Sequence, residues 1–191
     1  MKILVVDNGS QYAHRIYRTL QDLKAETKLV PNTTPVSELN CDGIVLSGSG
    51  VLLSAGAPMG NCKDYLDNFK GPILGICAGH QLIGEHFGGK ISPASGNEGS
   101  TPEFGLTEIT IDKENDLFKG IPAKISAWES HNDEISELPK DLESLAHSES
   151  CAVEALKHRK KPIYGIQFHP EVQHTQHGKD IYKNFIGIVK R

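Results

Sequence analysis

No stretch of the sequence approaches the ~20 consecutive apolar residues that a membrane-spanning helix needs. Positive charge is not in excess either. Twenty Lys and Arg stand against 24 Asp and Glu, a formal charge of −4, so the basic face by which nucleic-acid-binding chains declare themselves is missing. Cysteine is sparse and scattered (Cys41, Cys62, Cys77 and Cys151), without CxxC spacing. In a chain without an export signal this reads as reduced thiols rather than a disulfide framework. Met1-Lys2-Ile3-Leu4-Val5-Val6-Asp7 is too short and ends too acidic for a signal peptide, so a cytoplasmic location is expected. A phosphate-cradling loop is also lacking. Ser47-Gly48-Ser49-Gly50 runs into Val51-Leu52-Leu53 with no Lys or Asp, so no nucleotide site is read and no cofactor is expected in this chain. Repeats and low-complexity tracts are absent, and 191 residues with 38% apolar content suffice for one domain, 1–191, with a core that needs no staples.

The first half alternates short apolar runs with amphipathic segments. Ile3 to Val6 reads as a strand covered on both faces, and Thr27 to Val30, Gly43 to Ser47 and Pro72 to Ile76 as further strands. Between them lie a helix with Ala13, Ile16, Tyr17, Leu20 and Leu23 on one face, capped by Ser10, and another marked by Cys62, Tyr65, Leu66 and Phe69. A third helix, Gly79 to Phe87, closes at Gly88-Gly89. This is the pattern of a parallel sheet with helices on both faces. The second half predicts antiparallel additions: Leu106 to Ile111, Lys124 to Trp128, Ser144 to His147, Ala152 to Leu156 and Ile163 to Phe168, before a last helix with Ile181, Phe185 and Ile188 on one face. Gly96 to Pro102 reads as an exposed loop.

Two segments carry chemistry. In Gly75-Ile76-Cys77-Ala78-Gly79-His80-Gln81 the small residues permit a sharp strand-to-helix turn that presents Cys77 at the carboxyl end of the sheet. The helix start beyond it offers free N–H groups and a positive dipole end, which favour the thiolate. In Gln167-Phe168-His169-Pro170-Glu171 the histidine ends an apolar strand. Residues i and i+2 of an extended chain project to the same side, so Glu171 is placed to hold one imidazole nitrogen and leave the other for Cys77.

These two motifs, in this order, resemble class I (triad) glutamine amidotransferases, and the resemblance covers essentially the whole chain. Trp128-x-Ser130-His131-x-Asp133-Glu134 and the run from His169 to His174-Thr175 and Gly178 are most similar to the glutaminases of GMP synthetase. The resemblance implies a three-layer αβα, flavodoxin-like fold with a mixed, mostly parallel sheet. It implies that Cys77 attacks the carboxamide of L-glutamine, that His169 moves the proton and that Glu171 orients His169. It further implies oxyanion donors at Ala78 and at Ser49 of the loop after the third strand, and substrate contacts at Gln81, Ser130, His131, Asn132 and Asp133. The ammonia would serve a separate synthetase subunit, an ATP pyrophosphatase that uses ATP and Mg²⁺ to convert xanthosine monophosphate (XMP) to GMP. Neither nucleic acid nor membrane enters as a partner.

The loop departs from the family's Ser-Gly-Gly-Pro: Ser49 replaces the second glycine and Gly50 the proline. A left-handed φ there costs serine more than glycine, and losing the proline loosens the free chain. The hole is therefore expected to form poorly without the partner. Spacing also allows a metal site at His169, His174 and His177, but the triad reading competes for His169 and no metal is assigned. His174 and Thr175 are expected on an interaction surface. The alternatives are a glutaminase serving another synthase, such as anthranilate synthase or carbamoyl-phosphate synthetase, a non-catalytic glutamine sensor, and a free-standing γ-glutamyl hydrolase.

Overall fold

The computed structural model describes residues 1–96 and 100–191. In chain order the elements are β1 (Lys2–Asp7), α1 (Ala13–Asp22), β2 (Glu26–Pro31), β3 (Gly43–Leu46), α2 (Cys62–Asn68), β4 (Ile73–Ile76) and α3 (Ala78–His86). They continue with β5 (Lys90–Pro93), β6 (Glu103–Ile111), β7 (Lys124–His131), β8 (Asp133–Glu137), β9 (Leu142–His147), β10 (Ala155–His158), β11 (Ile163–Ile166) and α4 (Gly178–Val189). Nine strands form one sheet in the order β2-β1-β3-β4-β11-β10-β9-β6-β7. The first five run parallel and the last four are added antiparallel, which is the mixed, flavodoxin-like arrangement expected.

Side chains of successive strand residues leave the sheet on opposite faces, so each parallel strand feeds two cores. Ile3 and Val5 of β1 pack with Ile16 and Leu20 of α1 and Phe185 of α4. Leu4 and Val6 pack on the other face with Tyr65 and Leu66 of α2 and Leu82 of α3. Each such side chain, taken from water, contributes about 1.5–3 kcal/mol. No described helix is long and apolar enough to cross a membrane.

Several local expectations are corrected. Ser10 does not cap α1: the helix starts after Tyr12, and the Ser10 hydroxyl accepts from the Tyr12 N–H one turn earlier, at 3.1 Å. The sequence pattern missed β5 and β8, which form a separate two-stranded sheet. Four residues ending in Pro93, and a strand opening on Asp133-Glu134, give no apolar alternation to read. The seventh strand runs on past Trp128 to His131, because β6 pairs with it along its full length, Glu103 opposite His131. Within the loop expected at 96–102, residues 97–99 lie outside the described residues, while Gly96 and Thr101 are exposed.

One feature of the topology builds the site. β4 and β11, far apart in sequence, lie side by side and parallel, from Ile73 opposite Ile163 to Ile76 opposite Ile166. The segments leaving these two strands emerge together at the carboxyl edge of the sheet.

Candidate active site

Cys77 comes directly after β4. Its backbone sits at φ 51° and ψ −110°, a region that L-residues rarely enter. The turn is possible because its neighbours lack side chains. A Cβ on Gly75 would lie 2.5 Å from the Gly79 carbonyl group, and one on Gly79 would lie 2.6 Å from the Leu46 carbonyl oxygen. The Cys77 N–H donates to the Ile166 carbonyl at 2.8 Å, tying the turn to the end of β11. Ala78 opens α3, and the N–H groups of a first helical turn have no acceptor within their own helix.

β11 leads into Gln167-Phe168-His169. Glu171 Oε1 lies 2.7 Å from His169 Nδ1, with both side chains almost wholly buried. This leaves Nε2 free on the ring that lines the same cavity as Cys77. Burial by itself would disfavour the charged imidazole. The Glu171 carboxylate and the neighbouring sulfur outweigh it and push His169 up to about 10. Tyr12 packs edge-on against the imidazole, ring centroids 4.8 Å apart. The second oxygen of Glu171 accepts from the Tyr182 hydroxyl at 3.2 Å.

β7 lies at the far edge of the sheet, yet it returns to this place. The Trp128 carbonyl accepts from the His169 N–H at 2.9 Å, and the Ser130 carbonyl lies 3.8 Å from Cys77 Sγ. Thr175 stitches the two segments together, its hydroxyl donating to the His169 carbonyl at 2.7 Å and accepting from the Trp128 N–H at 2.9 Å. Thr175 is thus buried scaffolding, not the surface residue expected, whereas the exposed His174 ring lies against Trp128.

Above the sulfur opens a cavity of about 390 Å³, lined among others by Ser49, Ala78, Gln81, His169 and the run from Ser130 to Asp133. All the residues singled out from the sequence therefore converge except Glu171, which stands behind His169. Lining is not the same as offering a side chain. Asp133 spends its carboxylate on the N–H and hydroxyl of Ser54, at 2.9 and 2.8 Å. Gln81 donates its amide to the Asp133 carbonyl and to Gln167, at 2.6 and 3.0 Å. The His131 ring is fully buried, between the Asp133 carbonyl and Glu103. Asn132 is exposed at the wall.

The strain expected at Ser49 does not occur, because its φ is not left-handed. Its hydroxyl donates to the Asn8 carbonyl at 2.7 Å, which fastens the loop to the end of β1. Gly48 passes close to both reacting side chains: a Cβ there would make ordinary contact with Cys77 Cβ at 3.4 Å and His169 Cε1 at 3.6 Å. Sequence reasoning missed Tyr12 and Tyr182. Only the helical phase of Tyr182, one residue from Ile181 on a buried face, signalled that it points inward.

The family model for glutamine amidotransferase class-I matches residues 4–188. The chain is 51% identical to a subunit of glutamine-hydrolysing GMP synthase from Thermococcus kodakarensis over 189 residues, covering 96% of each chain. It is 48% identical to the same subunit from Methanocaldococcus jannaschii, covering 97% of this chain and 96% of that one. A crystal structure from Thermoplasma acidophilum, assigned to this GMP synthase subunit, superposes with a TM-score of 0.91 at 44% identity, covering 100% of this chain and 94% of that one.

Proposed function

Because this chain belongs to the class-I glutamine amidotransferase family, we propose that it hydrolyses the side-chain amide of glutamine at Cys77 and delivers the ammonia to a separate ATP-dependent synthetase subunit that makes GMP from XMP. The observation that carries this reading is the convergence of Cys77 and His169 on one cavity, beyond the ends of two adjacent parallel strands, with Glu171 bonded to the far nitrogen of the ring.

The sulfur attacks the carboxamide carbon, and the resulting oxyanion is met by the Ala78 N–H and by the loop at Ser49. The proton that the leaving nitrogen requires already sits on His169, since Glu171 keeps the imidazole charged well above neutral pH. Once ammonia leaves, His169 takes a proton from water, which adds to the thioester. Collapse of that second adduct expels the Cys77 thiolate and releases glutamate, with the proton again on His169 as at the start. Glu171 gains no proton in this cycle; it fixes the ring through Nδ1 and is itself fixed by Tyr182.

ATP and Mg²⁺ are assigned to the partner, because the loop at 47–50 runs into Val51 and Leu52 rather than Lys or Asp. The mouth of the cavity is apolar and exposed, with Val51, Leu52 and Phe104 at its rim and Leu106 beyond. Such a patch on a monomer marks a contact surface, and we assign it to the synthetase subunit, to which ammonia must pass. Reaction in water in the cytoplasm fits a chain without a membrane-spanning helix among its described residues.

The test combines the chain with the ATP-pyrophosphatase component of a GMP synthetase, ATP, Mg²⁺, XMP and either glutamine or ammonium. Cys77→Ala is expected to abolish GMP formation from glutamine and to leave that from ammonium intact. Full activity of Cys77→Ala with glutamine would refute the assignment of the nucleophile. Failure of the wild-type mixture to use glutamine, with ammonium still effective, would refute the choice of partner.

A further inference from the structure

Behind the wall of the cavity lies a second group of reactive side chains that the proposed reaction does not use. Glu103 at the start of β6, His131 at the end of β7, and Cys151 and Glu154 from the connection between β9 and β10 are all buried. One ligand atom of each lies within 4.8 Å of those of the other three. Glu129, wholly buried on β7, adds an oxygen 3.5 Å from His131 Nε2. Among the described residues, no Lys or Arg is paired with these carboxylates.

The hydrogen bonds around the group divide it into an inner and an outer set. His131 Nδ1 faces the Asp133 carbonyl at 3.0 Å, an acceptor only, so Nδ1 carries the ring proton. In the neutral tautomer Nε2 then turns a lone pair toward Glu103 Oε2, 2.9 Å away. Lone pair facing lone pair demands a cation between them, either a proton or a metal ion. Glu103 is arranged the same way: its other oxygen, Oε1, accepts from the hydroxyls of Ser148 and Ser150 at 2.7 and 2.6 Å, which leaves Oε2 directed inward. A ligating histidine that donates its remote N–H to a backbone carbonyl, beside a ligating carboxylate held by hydroxyls, is the outer arrangement seen around protein-bound metals. Independently, the carboxyl groups of Glu129 and Glu154 are fully buried and face chiefly one another and Glu103, with the Ser148 hydroxyl as the neighbouring donor to Glu154. Buried carboxyl groups that face one another need a proton or a metal cation between them.

We propose that Glu103, His131, Cys151 and Glu154 bind a divalent metal ion of the zinc class. One thiolate, one imidazole and two carboxylates form a donor set of intermediate softness, which suits zinc and not magnesium or calcium. Tetrahedral coordination with these donors sets ligand–ligand spacings of about 3.3–3.6 Å. Glu103 and His131 must therefore open by a few tenths of an ångström, and a pair at the 4.8 Å limit must close by about 1.2–1.5 Å. The ion neutralises the carboxylates and pins the paired ends of β6 and β7 to the 151–154 connection. Those strand ends carry Ser130 to Asp133 into the cavity wall, so the site braces the pocket from behind without touching the substrate.

The test uses the full chain carrying Cys77→Ser, so that the active-site sulfur cannot bind metal. It is expressed in zinc-supplemented medium, purified without chelators and measured by elemental mass spectrometry. About one zinc per chain is expected, falling more than tenfold on adding either Cys151→Ala or Glu154→Gln. Cobalt in place of zinc is expected to show a thiolate-to-cobalt charge-transfer band, absent in the Cys151→Ala chain. Zinc-free Cys77→Ser protein, or zinc retained in full by both added variants, would overturn the proposal, and the first of these measurements needs no variant of the cluster to fold. Metal-free protein would leave Glu129 and Glu154 as buried acids kept protonated by their surroundings.

Discussion

The molecule contains a cysteine, a histidine and a glutamate brought together twice, and the two groups are not equivalent. At the cavity, His169 stands between Glu171 and Cys77, its ring charge supported by one carboxylate. Behind β7, His131 stands among Glu103, Glu129 and Glu154, with Cys151 close by. Cys77 has a helix start behind it, glycines around it and open space in front. Cys151 sits in a closed, acidic surrounding that raises its pKa, first by burial and then by the charge of Glu154. The same three residue types thus give a candidate nucleophile at the floor of a cavity in one place and a set of inward-facing ligands in the other. What separates them is access to substrate and the balance of charge, not composition.

The largest expected effect that would break this contrast concerns the two thiols. A glutamine-like electrophile is expected to label Cys77 completely, to be blocked by glutamine, and to leave Cys151 unlabelled by at least about 100-fold, as read by peptide mass spectrometry. Equal labelling of both would show that surroundings do not set their reactivity. Next is Glu171→Gln, expected to lower glutaminase kcat by roughly 10²–10⁴-fold with little change in KM. The same variant changes the pH dependence of stability. In the folded chain His169 is raised from an ordinary value near 6.5 to about 10, so its contribution is complete below about pH 6.5 and is lost as pH climbs through about 10. Urea unfolding of the wild type between these limits should show falling stability, and a flatter slope is expected in Glu171→Gln. Identical slopes would mean that Glu171 does not hold the proton on His169. The smallest effect is that of Tyr182→Phe, which removes one hydrogen bond to Glu171 and is expected to cost about 0.5–1.5 kcal/mol, a loss of roughly two- to tenfold in kcat. An unchanged kcat, together with an unchanged pH profile, would reduce Tyr182 to a packing residue.

The inner strands of the parallel half were legible because they are covered on both faces and appear as unbroken apolar runs, Ile3 to Val6 and Ile73 to Ile76 among them. The two motifs proposed to form the triad were legible for a different reason: each is local, and its geometry depends on its immediate neighbours. The small β5–β8 sheet was not legible, since Lys90, Asp133 and Glu137 look like loop residues until they are paired. The buried acids were obscured by the habit of assigning charge to the surface. One signal was present nonetheless. Along β7, Ile125, Ala127, Glu129 and His131 keep the same alternating phase, and all four are buried. The direction of the His131 side chain followed from that phase, whereas its partners came from two distant segments and did not.

The position of β11 bears on how the chain comes into being. It lies in the middle of the sheet, between β4 and β10, yet it follows the other strands of that sheet in the order of synthesis. During synthesis the cysteine precedes its base by some ninety residues, and the seat for β11 beside β4 stays open until the C-terminal fifth of the chain arrives. A product cut short before that point lacks the histidine and the strand that joins the two halves of the sheet. Birth order therefore acts as a safeguard: an unfinished chain carries a thiol but no means of using it.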